Sequence, residues 1–242
     1  MRWLILILTF AIAACDVPQS ATQPAPGPAT LKPPKGPSEP TGPGLSEQDF
    51  TEVVAAVRPV ATQICRRRTN ETNCDFTIVI DPNVRAKRRA YQRQDKNGRP
   101  ILTFTKSLIS SLRNREELAF ILGHEASHHI AGHLRREHQY AVAGAAALAG
   151  LAKSNGDSAA RIAKAKKAGA SIGARTFSKE FELEADELGA KIAHRAGFNP
   201  LIGAQFFNTI PDPDDRFLGT HPPTAARLAA VARVSGQLGI RE

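Results

Sequence analysis

The 242-residue chain has little cysteine and no long apolar run. Its three cysteines are Cys15, Cys65 and Cys74. The last two stand alone in "CRRRTNETNC", which excludes a four-ligand structural zinc site with its closely paired thiolates. A membrane-spanning helix needs about 20 apolar residues. Both Trp3 to Ala13 and "AVAGAAALAGLA" at 141–152 fall short of that, so no spanning segment is expected.

The first of these runs suits the apolar core of an export signal, preceded by the basic start Met1-Arg2. "IAAC" then sets small residues before Cys15, as in a bacterial lipobox. Residues 1–14 are therefore expected to be removed as a signal peptide and Cys15 to be lipidated. Asp16 hints at retention in the inner rather than the outer membrane. Export into an oxidising compartment makes a Cys65–Cys74 disulfide the default, contributing about 2–3 kcal/mol by closing a short loop. The expected location is the periplasmic side of a bacterial envelope.

Nine of the twenty-nine residues from Asp16 to Gly44 are proline and almost none is large and apolar. Such composition makes 15–45 an extended tether between lipid and domain. The net charge of +9 includes clusters at Arg66 to Arg68, Arg85 to Arg89 and Lys164 to Lys167. In an exported chain these point away from nucleic acid and toward anionic headgroups or a solvated basic surface.

The folded part is expected over 46–242. Ser46 with an acid three residues on caps a helix carrying Phe50, Val53, Val54 and Val57 at helical spacing. "CDFTIVI" predicts a strand at 75–80. The Asn97-Gly98 turn predicts a hairpin. Asn114 with Glu117 caps a long helix through "ILGHEASHHIAGH". Residues 141–152 suggest small-residue helices or a mobile segment over the site. Helices are also expected over Phe177 to Ala196 and within "HPPTAARLAAVARV".

Residues four apart on a helix share a face, so His124 and His128 can grip one metal with Glu125 beside them. This is the HExxH arrangement: two imidazole ligands to zinc and a glutamate as general base. His129 and His133 form a rival pair about 100° round the helix. No glutamate follows His129, which favours surface or supporting roles for the pair. A third histidine ligand of the metzincin kind needs Gly at 131 and His at 134. Ala131 and Leu134 stand there, so the third ligand must come from elsewhere. In "SKEFELEADELGAKIA", Glu182, Ala185, Asp186, Gly189 and Ala193 share one helical face. Its small residues permit close approach to the histidine helix. That selects Glu182 as ligand and Asp186 as acceptor for a ligand histidine, whereas Glu184 and Glu187 point elsewhere.

"LAFILGHEASHHIAGHLRR", "SKEFELEADELGAKIA" and "THPPTAARLAAV" together resemble the zinc endopeptidases that include HtpX, BepA and the CAAX prenyl-protein endopeptidase. The resemblance covers about residues 46 to 235. It implies an α+β, mainly helical gluzincin fold with a small sheet whose edge lies beside the zinc. It matches His124, His128 and Glu182 to the ligands of one Zn2+ and Glu125 to the catalytic glutamate. Asp186 matches the supporting acid, His133 a further recurrent histidine, and His221 and Arg227 a His-Pro…Arg element near the site. The long membrane spans and the tetratricopeptide domain of some relatives are absent.

The expected function is zinc-dependent endopeptidase action on extended or misfolded envelope proteins, with Glu125 taking the proton of the attacking water. The partners are protein substrates and a membrane reached through the lipid. Substrate is expected to add as a strand to an edge around Ile101 to Thr105. His221 is read as a latch on the metal, an oxyanion donor or a plain turn residue. The alternative function is a catalytically idle, zinc-binding chaperone or assembly lipoprotein.

Overall fold

The computed structural model describes residues 44–212, 219 and 221–240. They belong to one compact unit, Pro33–Glu242. The expected signal peptide, Cys15, Asp16 and most of the tether lie outside the described residues.

Helix α1 (Glu47–Arg68) starts where the sequence predicts, because Ser46 and Asp49 close a reciprocal capping box. Its buried face carries Phe50, Val53, Val57, Ala61 and Ile64. A disulfide joins Cys65, near its end, to Cys74. Three strands follow: β1 (Thr77–Asp81), β2 (Ala90–Gln94) and β3 (Pro100–Thr105). They form one mixed sheet in the order β1-β3-β2. Thr77 pairs with Ile101 in parallel register, while Gln92 pairs with Leu102 in the antiparallel hairpin. The hairpin turns at Gly98, which has φ 71°.

This topology corrects one expectation. The stretch Ile101 to Thr105 is the central strand and cannot receive a substrate strand, because both of its sides are already paired. The free edge beside the histidine helix is β2.

After the short helix α2 (Lys106–Ile109), helix α3 (Arg115–Ile130) runs through the centre. Asn114 accepts a hydrogen bond from the Glu117 amide as N-cap. The carboxylate of Glu117 is buried and is satisfied by the Arg113 backbone amide at 2.8 Å and by its side chain. Helix α3 is buried on almost every side, contacting α1 and both hairpin strands. The main core joins Phe50, Leu102, Phe104, Leu118 and Leu122. Phe50 meets Phe104 edge to face with ring centroids 5.5 Å apart.

Gly132 ends α3 in the left-handed conformation, at φ 67°, and the chain turns directly into α4 (His133–Ser154). Helices α4 and α5 (Ala159–Arg175) form a hairpin held by small residues. The Ala/Gly-rich segment 141–152 is thus paired with α5 and lines no part of the histidine site. Helix α6 (Ser178–Arg195) lies across α3. The short α7 (Pro200–Gly203), a 3-10 turn (Ala204–Thr209) and α8 (Thr224–Gln237) complete the fold. A second apolar cluster there joins Phe120, Phe207, Val231 and Val234. The architecture is α+β and mainly helical, as expected.

Candidate metal centre

Two helices position the site by touching backbone to backbone. A Cβ on Gly189 would lie 2.8 Å from the His124 amide nitrogen, and one on Gly123 would lie 2.7 Å from the Gly189 carbonyl oxygen. Only glycine permits this crossing of α3 and α6. It brings the buried face Glu182, Ala185, Asp186, Gly189 and Ala193 against the HExxH turn.

The result is a cluster of three donors. The Nε2 atoms of His124 and His128 are 3.0 Å apart. Glu182 carboxylate oxygens lie 3.7 Å from His124 Nε2 and 3.3 Å from His128 Nε2. Metal–ligand bonds of 2.0–2.1 Å in tetrahedral array would hold such donors about 3.3–3.4 Å apart, so the set fits a zinc-sized ion. Charge fits as well. Among the described residues Arg227 is the one buried guanidinium beside Glu125, Glu182 and Asp186, so acidic groups outnumber buried basic side chains there. A divalent cation balances that surplus. His124, His128 and Glu182 are also the one group among the described residues with metal-holding geometry.

Each donor is held from behind. Nδ1 of His124 donates to Asp186 Oδ1 at 2.9 Å, which turns Nε2 toward the cluster. Arg227 grips Asp186 with two hydrogen bonds of 2.7 Å and reaches Glu182 at 3.3 Å. Its guanidinium also lies 3.9 Å over the ring of Phe207. Behind His128 runs a chain of imidazoles. For Nε2 of His128 to keep a free lone pair, Nδ1 must donate to His133 Nδ1, 2.8 Å away. His133 Nε2 then donates to Glu184 Oε2 at 3.3 Å, and Arg136 closes the chain on the same oxygen at 2.7 Å. Glu182 receives His221 Nδ1 at 3.0 Å.

The electrostatics follow. Burial and the charge on His128 push His133 down to about 4, so it stays neutral and can accept. Burial opposes charge on His128, but the adjacent Glu182 and Glu125 outweigh it and raise its pKa. Burial likewise opposes ionisation of Glu182. When His128 carries a proton on both ring nitrogens, hydrogen bonds from it and from His221, with the charge of Arg227 nearby, nevertheless hold the Glu182 carboxyl well below the usual range. Burial raises Glu125.

His129 turns away from the cluster. Its Nε2 donates to the Asn73 carbonyl at 2.7 Å, Nδ1 accepts from Gln94 at 3.1 Å, and its ring meets Phe76 edge to face. It joins the disulfide loop to β2 and α3 and holds no place among the donors.

The donors and Glu125 line a cavity of about 430 Å³. Ala90, Tyr91 and Gln92 of β2 form one wall, and Phe206, Phe207 and Ile210 form another. No motif marks these last three, because apolar wall residues carry no spacing signal. An apolar chain segment fits that wall, an extended backbone fits the strand edge, and a carboxylate stands beside the donors.

No curated protein and no solved structure matches the chain. The sequence model of peptidase family M48 matches residues 82–235, which takes in β2, β3, the whole donor cluster and Arg227. Peptidases of that family are metal-dependent, usually on zinc, and the His-His-Glu group supplies what such an ion needs. The chain therefore belongs to peptidase family M48 and is a metallopeptidase.

Proposed function

We propose that the protein is a zinc endopeptidase of the HtpX and BepA kind that cleaves extended or misfolded segments of envelope proteins. The observation that carries this reading is the placement of Glu125 in one cavity with the three donors and the free edge of the sheet. His124, His128 and Glu182 would hold the ion. When bound, zinc supplies Lewis-acid polarisation of a carbonyl and acidifies water.

The remaining work falls to the chain's own residues. Burial lifts Glu125 toward the range in which a carboxylate both takes a proton from water and returns it to a leaving amine. Asp186, His133 and His221 fix the orientation of the three donors, and Arg227 neutralises the charge gathered behind them. Thr105 donates its backbone N–H to the Arg89 carbonyl, so alternate residues of β2 face β3. That leaves the backbone groups of Ala90 and Gln92 free toward the cavity, where an extended substrate can pair. The apolar wall would take a large apolar side chain on one side of the scissile bond.

The envelope address and the lipid at Cys15 rest on the sequence alone. The subtype reading rests on the paired HExxH and ExxxD elements and the His-Pro…Arg element.

Glu125→Gln tests the proposal. The variant is expected to keep its zinc and its melting temperature and to lose at least about 10²-fold in casein cleavage, the range general acid–base groups contribute. Cleavage within threefold of wild type would falsify the assignment of Glu125.

A further inference from the structure

Helices α4 and α5 pack on each other far more extensively than on the rest of the protein. Their backbones touch at Gly144, Gly169 and Gly173, where a Cβ would run into a facing carbonyl. No described residue covers the outer faces of the pair. Eight large apolar side chains are exposed among the described residues, and five of them (Leu134, Val142, Leu151, Ile172 and Phe177) lie between His133 and Phe177.

A groove of about 350 Å³ runs between the two helices, with Gly144, Gly169 and Gly173 at its floor and Leu148, Ile172 and Phe177 on its walls. None of its lining residues is charged. On α4 the spacing 140, 143, 147, 151 puts Tyr140, Ala143, Ala147 and Leu151 on one uncharged strip. On α5 the spacing 161, 164, 168, 172, 175 puts Arg161, Lys164 and Arg175 on the strip of Ile172, at the rim of the groove. All three cations are exposed, and Arg161 also lies 3.3 Å from Asp157. From His133 to Arg175 the sequence has eight basic residues and two acidic ones, a net +6 of the chain's +9.

An uncharged groove with a cationic rim matches a molecule with an apolar tail and an anionic head. A second copy of the hairpin would oppose +6 with +6. An acidic peptide would use the rim and leave the apolar strip exposed. Among the described residues no helix is long and apolar enough to cross a membrane, so the match is to a bilayer surface.

We propose that the α4–α5 hairpin docks on an anionic phospholipid bilayer. Leu151, Ile172 and Phe177 then sit at the acyl boundary, and Arg161, Lys164 and Arg175 sit among the phosphates. Docking would hold the cavity close to the bilayer independently of the N-terminal lipid, and it does not depend on the peptidase reading.

The compact unit spans Pro33–Glu242, so a chain that starts at Pro33 keeps all of it. That fragment, free of any lipid, is floated with vesicles of phosphatidylglycerol mixed into phosphatidylcholine, and with phosphatidylcholine alone. Each basic residue near an anionic surface is worth about a fivefold change in partitioning. Binding is expected only to the anionic vesicles. The triple variant Arg161→Glu, Lys164→Glu, Arg175→Glu should lower it at least tenfold, and so should Leu151→Asp with Ile172→Asp. Lys166→Glu with Lys167→Glu, off the rim strip, should cost less than the triple variant. Equal binding to both vesicle types overturns the proposal. So does an undiminished affinity in the apolar variant, which would mean diffuse charge attraction. A wild-type dimer abolished by Leu151→Asp would assign the surface to a second copy instead. Circular dichroism checks the fold of each variant. If the apolar pair unfolds, the comparison of vesicle types and the charge variants decide.

Discussion

Replacing Arg227 by methionine removes the one buried guanidinium among the described residues and leaves its stem volume roughly intact. Asp186, whose side chain is 0% exposed, then loses two hydrogen bonds of 2.7 Å and its counter-charge. Glu182, 11% exposed, loses a contact at 3.3 Å. Breaking a buried pair from one side costs about 3–5 kcal/mol, because the remaining charge cannot return to water. For a domain of this size each kcal/mol moves the melting temperature by about 2–4 °C, so a fall of roughly 6–20 °C is expected. The measurement is a thermal melt in chelator, since bound metal would mask part of the loss by mass action. Adding Asp186→Asn to Arg227→Met removes the orphaned charge and keeps an acceptor for His124. The double variant should therefore recover about 1–3 kcal/mol of the loss. A single variant melting within 2 °C of wild type, or a double variant less stable than the single one, would refute the charge argument.

Metal content separates neighbouring glutamates. Glu182→Gln should lose most of its zinc at stoichiometric supply, whereas Glu184→Gln should lower affinity by about 10–100-fold and refill in excess zinc. The reverse order by atomic absorption would mean that the wrong carboxylate has been assigned. His221→Ala removes the donor to Glu182 and should weaken zinc binding about tenfold, the low end for supporting groups because this ring is half exposed. Activity should return in excess zinc; a rise above wild type would instead indicate a latch, and a loss that zinc does not restore would indicate an oxyanion donor. His129 has a folded pKa pushed below its ordinary value by burial, against the pull of its bond to Asn73. A depressed pKa stabilises the fold above about pH 6.5 and loses that contribution as pH falls below it. Urea midpoints in chelator should therefore fall more steeply from pH 7 toward pH 5 in wild type than in His129→Gln, and parallel slopes would count against it.

Much of the fold was legible wherever the signal is local. Ser46, Asn114 and the Asn97-Gly98 turn each set an element boundary through bonds to residues within four positions. The donor cluster was legible because HExxH and the small-residue face around Glu182 are both helical spacings. The identity of the edge strand was not, because the pairing of β1 with β3 joins residues more than twenty positions apart and no local pattern encodes it. The partner of His133 was hidden for a similar reason. Glu184 sits off the small-residue face, yet its carboxylate accepts from His133, 51 positions away in sequence, at 3.3 Å. The split roles of His129 and His133 depended on where α3 ends at Gly132, which only the left-handed turn reveals.

The contact of Gly123 with Gly189 separates two kinds of change in this protein. The two helices that carry the three donors are set by main chain against main chain, where a side chain on either glycine would clash with backbone. The surfaces that would choose a substrate come from β2, Phe206 and Ile210, none of which lies at that crossing; Phe207, packed under Arg227, belongs to the frame. Substitutions on those walls can therefore alter what enters the cavity without loosening the frame. Selection or engineering can retune specificity in one part of the molecule while the other stays constant.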